Sequence, residues 1–197
     1  MASQKKKEKE KALEELKEKI FNAAMEIMKE TDFESMTIRE ICGRVQISTG
    51  MFYKIYANKL ELLSYYYEKA QNEYDLDIRK TLEGLPIEEQ LLRFYRWVCD
   101  FTAGMGVDFC RHFFDSKNEA MNSNLFHNHL IELTDELLAD AMEKGLVLSP
   151  GRTPHEISQE LCIITKGTIF DWSANEGNYD FTEYTMALLE RVLHSLF

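Results

Sequence analysis

The residues best equipped to act on another molecule lie between positions 37 and 59. They include the hydroxyl of Thr49, the bare backbone of Gly50, Met51, the phenol of Tyr53 and the amine of Lys59. Hydroxyls and cations donate to phosphate oxygens, and short side chains at one end of a helix can reach base edges in a groove. The set suits non-covalent recognition. Elsewhere no Gly-rich phosphate loop, no GxSxG and no HExxH occurs. Asp135-Glu136 read as a solvated helix face, so an enzyme is not expected. His127 and His129 are two residues apart, which on a helix turns them about 200° from each other. Cys110 and His112 share that defect, and no metal or other cofactor is expected. The four cysteines, at 42, 99, 110 and 162, form no CxxC pair. They read as buried, inert thiols of a reducing cytoplasm rather than a disulfide framework.

The elements that must hold this set can be read from caps and periodicity. Leu13, Leu16, Ile20, Ala23, Ala24 and Ile27 form one helical face. Thr37 is a good N-cap, and Glu40 stands at capping-box spacing. Ile38, Ile41 and Val45 point inward from a helix over 37–44. A tight turn, Val45-Gln46-Ile47, leads to a second short helix over 48–54 that Ser48 caps. Two short helices on a tight turn form a helix-turn-helix, whose second helix fits the major groove. Thr49, Gly50 and Met51 then lie where base edges are read. Tyr53 and Lys59 are placed to reach phosphates. Asn58 caps a fourth helix, whose free N–H groups suit an anion.

Stretch 33–63 resembles the N-terminal domain of the tetracycline-repressor (TetR) family of bacterial regulators. The matching residues are Ile20, Ala23-Ala24, Phe33, Thr37-Ile38-Arg39-Glu40-Ile41, Ile47-Ser48, Gly50, Phe52-Tyr53, Tyr56, Lys59 and Leu62-Leu63. The resemblance implies nine helices. The first three bind DNA, the last two build a two-fold dimer, and helices four to eight enclose a ligand pocket. It carries Thr37, Arg39, Thr49, Gly50, Met51, Tyr53, Lys54 and Lys59 over as DNA contacts, to which Ser48 is added as the cap. Gln46 departs from the family's usual Gly and Cys42 from its frequent Ala, so either Gln46 sits at positive φ at some cost or the turn differs slightly.

The rest of the chain fits that frame. The net charge is −11, but residues 1–65 carry 12 basic against 11 acidic groups, while 66–197 carry 11 against 23. Nucleic-acid binding is therefore expected of the N-terminal part alone. The lysines at 5, 6, 7, 9 and 11 alternate with Glu8 and Glu10, so residues 1–10 read as a solvated, disordered or frayed end rather than a DNA arm. We expect an all-α protein with a helix-turn-helix domain over 1–57 and a helical ligand-binding and dimerisation domain over 58–197. Its fourth helix is expected to run unbroken from Asn58 to Gly84, with Leu60, Leu63, Tyr67, Ala70, Tyr74 and Ile78 on one seam. Trp97, Phe101, Phe113, Phe126 and Leu130 are candidate walls of an apolar cavity. Ile157, Leu161, Ile164, Thr168 and Trp172, with Tyr184, Leu188, Val192 and Phe197, are candidate dimer contacts. The expected partners are a palindromic double-stranded DNA operator, a second copy of the chain, and a small-molecule effector. No membrane partner is expected, since no apolar run suffices for a span. A protein-binding module that has lost DNA binding is disfavoured by the intact Ser48–Tyr53 and Lys59 set.

Overall fold

The structure, a computed structural model, describes residues 2–114 and 125–195. Its helices are α1 (Ala2–Glu30), α2 (Ile38–Val45), α3 (Thr49–Phe52), α4 (Lys59–Leu62), α5 (Tyr65–Glu73), a π-helical turn (Tyr74–Ile78), α6 (Arg79–Leu82), α7 (Ile87–Met105), α8 (Val107–Phe113), α9 (Leu125–Glu143), α10 (Pro154–Ala174) and α11 (Phe181–Leu193). No strand occurs among the described residues, so the fold is all-α.

Capping chemistry sets most of these bounds. The Oγ1 of Thr37 accepts the Glu40 N–H at 3.2 Å, Ser48 Oγ that of Met51 at 3.1 Å, and Asn58 Oδ1 that of Glu61 at 2.8 Å. Thr153 and Glu156 form a reciprocal capping box on α10, with Pro154 at its first position. Each cap satisfies a donor that a helix start leaves without a partner. The N-terminal segment is helical from Ala2 rather than disordered. It carries the i,i+4 pairs Lys6–Glu10 and Lys11–Glu15, and residues 4–13 are exposed throughout.

α2 closes on Gln46 at φ 59°, ψ 43°, the left-handed one of the two alternatives for this turn. A non-glycine residue there costs about 1–2 kcal/mol, part of which glycine returns through its freer unfolded state. Gln46 is exposed. Gln46→Gly is therefore expected to raise stability by about 0.5–1 kcal/mol, read as a higher urea midpoint at unchanged slope. A lower midpoint would show that the glutamine side chain does more than tolerate the turn.

The first three helices enclose a small core of Ile20, Ala24, Ile27, Met36, Ile41 and Phe52, all buried. In the larger part, α9 packs on α10, α7 on α11, and α10 on both α11 and α8. The expected unbroken fourth helix is not present. Leu63 and Ser64 form a tight turn of i→i+3 bonds between α4 and α5, and the π turn interrupts the rod again at 74–78. No Gly or Pro marks either site. The breaks come from tertiary packing, which buries Leu62, Leu63, Tyr65 and Tyr66 consecutively in pairs, more than one face of a straight helix can hide.

Candidate nucleic-acid interface

α2 and α3 form a bracket with its apolar residues inside. Phe52 is fully buried and its ring meets those of Tyr53 and Tyr56, each at 5.7 Å. Anchored from within, α3 presents Thr49, Gly50, Met51, Tyr53 and Lys54 outward; Met51 is 40% and Tyr53 57% exposed. Arg39 and Thr37 are exposed on the flank of α2. The hydroxyl oxygens of Thr37 and Ser48 are engaged as caps, which leaves each O–H proton available to an outside acceptor. Tyr56, by contrast, is buried; burial first, then nearby carboxylates beginning with Glu68, push its phenol well above the ordinary range.

Gly50 is informative. A Cβ built there would meet only Ser48 Oγ, at 3.8 Å, an ordinary contact. Its φ is not in the left-handed region. Nothing inside the fold requires glycine at this position.

Lys59 is placed differently from the sequence expectation. Its Nζ donates to the carbonyls of Phe33 (2.6 Å), Glu34 (3.0 Å) and Met36 (3.2 Å), and lies 4.6 Å from the Phe33 ring centroid. An ammonium has three donors, so the side chain braces the loop between α1 and α2 instead of reaching out to phosphate. Residue type alone cannot tell a carbonyl acceptor from a phosphate.

In the larger part, Phe113 stacks on Phe109 (5.2 Å) and meets Tyr66 (5.1 Å), which meets Phe101 (5.1 Å), which meets Trp97 (5.6 Å). Trp97, Phe101 and Phe113 thus join one aromatic cluster. Leu130 is buried, and the side chain of Phe126 lies outside the described residues. Two pairs of hydroxyls are buried in this region. Tyr66 Oη pairs with Thr102 Oγ1 at 2.7 Å and Tyr95 Oη with Thr134 Oγ1 at 3.0 Å. A cleft of about 260 Å³ opens at the π turn, lined by Tyr74, Arg79, Gln90, Glu136, Asp140 and Lys144 among others. Tyr74 also touches Trp97, at 5.8 Å, so the cleft adjoins the cluster. All four cysteines are buried thiols outside any disulfide. Desolvation pushes the Cys99 thiol up to about 12 and that of Cys162 to about 11. Cys110 and His112 diverge, the thiol toward the Thr102 carbonyl at 3.7 Å and the imidazole toward Glu34.

The candidate dimer stripe needs correction. Ile157, Leu161, Thr168 and Trp172 are buried within the protomer. Trp172 packs on Phe181 at 5.3 Å, and Thr168 Oγ1 accepts from Thr185 at 2.9 Å. Ile164, Leu188 and Val192 are half-buried. The outward apolar face of α10 is Ile163 (63% exposed) and Phe170 (65%), with Gly167 between them and Tyr184 (52%) on α11. Phe197 lies outside the described residues.

Residues 20–66 match the sequence model of bacterial regulatory proteins of the tetR family. Along 80 residues, 40% of this chain, the sequence is 29% identical to the HTH-type transcriptional regulator HbdR of Aromatoleum sp. (strain CIB), spanning 35% of that protein. The fold is shared over most of the length. FadR of Thermus thermophilus, a TetR-family repressor solved with lauroyl-CoA, superposes with a TM-score of 0.72 at 22% identity, covering 90% of this chain and 93% of FadR. FadR of Bacillus subtilis, solved with stearoyl-CoA, gives 0.70 at 16%, covering 91% and 98%. The capped bracket and its exposed short helix form a helix-turn-helix. Residues 20–66 thus carry a TetR-type helix-turn-helix, and the chain shares its fold with FadR of Thermus thermophilus over most of its length. Among the described residues no helix is long and apolar enough to cross a membrane.

Proposed function

We propose that this chain is a dimeric, sequence-specific repressor, with a DNA-binding part ending at Ala57, that a mostly apolar ligand releases from its operator. The observation that carries the DNA-binding reading is Gly50. A glycine in a helix costs up to about 1 kcal/mol against alanine, and here no internal contact or backbone angle repays it. What remains is the outer side, where a close-approaching surface leaves no room for a methyl group. Thr49 and Met51 flank that point as base readers, and Arg39, Tyr53 and Lys54 surround it as phosphate partners. Two copies joined through the Ile163–Phe170 face present two such helices to a palindrome.

The ligand side of the reading rests on the aromatic cluster and on relatives of the same fold. Two of these were solved with acyl thioesters of coenzyme A, which makes an acyl chain the first ligand class to try. Such a chain is matched in polarity to the aromatic cluster of Phe101, Phe113 and Trp97.

Gly50→Ala should leave the thermal midpoint unchanged or slightly raised and weaken operator binding at least tenfold. The measurement is a gel shift on DNA flanking the gene, repeated with lauroyl-CoA added. Equal binding by Gly50→Ala and wild type would remove the argument from close approach. Retention of the complex at saturating acyl-CoA would remove acyl thioesters as the effector.

A further inference from the structure

The loop between α1 and α2 is held from two sides. From below, Lys59 binds the carbonyls of Phe33, Glu34 and Met36. From above, α8 grips the same loop from 75 residues away in sequence. Asp108 Oδ2 accepts the Phe33 N–H at 2.7 Å. The His112 ring lies 4.4 Å from the Phe33 ring, tilted 32°, and its Nε2 is 3.3 Å from Glu34 Oε1. The neighbouring face of α8, about 100° round its axis, carries Phe109 and Phe113 into the aromatic cluster, where Phe109 meets Tyr66 at 5.4 Å and Phe21 of α1 at 6.3 Å. α8 thus touches the interior of the larger part on one face and the residues leading into the Thr37 cap on the next. The alternative connection, the rod 59–82, is broken at 63–64 and again at the π turn, which makes it a poor lever.

We propose that Asp108 is a positioning residue for DNA binding. By holding the Phe33 N–H, it sets the angle at which α2 and α3 are offered to the duplex, and Lys59 completes the grip from within the DNA-binding part. The inference rests on the DNA-binding reading above. Asp108 itself contributes a charge of the wrong sign for a phosphate contact, so its removal would, on charge alone, strengthen binding. A loss of affinity on its removal therefore isolates the positioning effect.

The experiment uses fluorescence anisotropy on the shortest upstream fragment that the wild-type chain retards. It is done across a salt series, with active fraction fixed by stoichiometric titration. Asp108→Leu, which cannot accept the hydrogen bond, should bind about tenfold more weakly, with the wild-type salt slope. Asp108→Asn loses the same charge but keeps an acceptor oxygen, and should return to within about twofold. Lys59→Met should weaken binding without changing the slope. A slope lower by about one unit in Lys59→Met would make Lys59 a phosphate ligand and overturn its part in the grip. Wild-type affinity in Asp108→Leu, or equal losses in the Leu and Asn variants, would overturn the role of Asp108. Should the Leu variant not fold, Asp108→Ala, which also lacks an acceptor, is read against Asp108→Asn by the same criteria. If the wild-type chain retards no fragment, the DNA-binding reading falls first and this inference falls with it.

Discussion

Phe170→Asp should convert the protein to a monomer at micromolar concentration. Ile163, Gly167 and Phe170 follow one another at helical spacing along the outside of α10, and Tyr184 extends the patch onto α11. Large side chains this exposed mark an interface when they cluster, and Gly167 lets a second backbone approach. Across a two-fold, one substitution is felt twice. A central aromatic anchor is worth about 2 kcal/mol or more, so two copies amount to about 4 kcal/mol, close to a thousandfold in dimer dissociation. Buried carboxylates add to that loss. Sedimentation velocity at 1–50 µM reads the outcome, and operator binding should fall with the mass, since a palindrome rewards two linked helices. Leu161→Ala provides the contrast. It should cost about 2–5 kcal/mol of folding stability through the cavity it leaves while the folded protein stays dimeric. A dimeric Phe170→Asp would move the interface off this face.

The second large effect is expected at Phe52. The ring is fully buried between α3 and the rest of the small three-helix core and touches both Tyr53 and Tyr56. Phe→Ala in such a site costs about 3–5 kcal/mol, a sum comparable with the whole stability a unit of this size can hold. Phe52→Ala should therefore unfold the DNA-binding part at ambient temperature while α7–α11 remain folded and paired. Operator binding would vanish, helical ellipticity would fall by the share of α1–α3, and the sedimenting mass would stay that of a dimer. A single melting transition with normal DNA binding would contradict this division of the chain.

Much of this architecture was legible in the residues themselves. Thr37, Ser48 and Asn58 announce helix starts because their side chains complete hydrogen bonds within three residues, and that chemistry is local. The left-handed backbone of Gln46 is one of two readings that the family's usual glycine at its place leaves open, the other being a different turn. The remainder depends on partners distant in sequence. α10 is apolar on two faces: Ile157, Leu161 and Trp172 form one, Ile163 and Phe170 the other. Periodicity finds such stripes without saying which of them meets the protomer's own core. Lys59 has the type and place of a phosphate ligand, yet carbonyls 23 to 26 residues back in the chain claim its donors. The grip of Asp108 on Phe33 leaves no trace in either segment, because one carboxylate and one N–H carry no pattern.

The π turn at 74–78 also bears on how the chain tolerates changes of length. In an unbroken α-helix, Tyr74 and Leu82 stand about 80° apart around the axis, yet both are 2% exposed. The wider ring of the π turn accommodates one residue beyond what the helix needs, which brings Leu82 back toward the side that Tyr74 faces. Seven α-helical steps leave the two within about 20° of each other. A chain lacking one residue among Asp75, Leu76 and Asp77, all exposed, could therefore rewind this segment as plain α-helix and keep both side chains inside. Elsewhere along these helices a single deletion would turn every following side chain by about 100°. The turn is a slack point, where this chain can lose a residue without disturbing what lies beyond it.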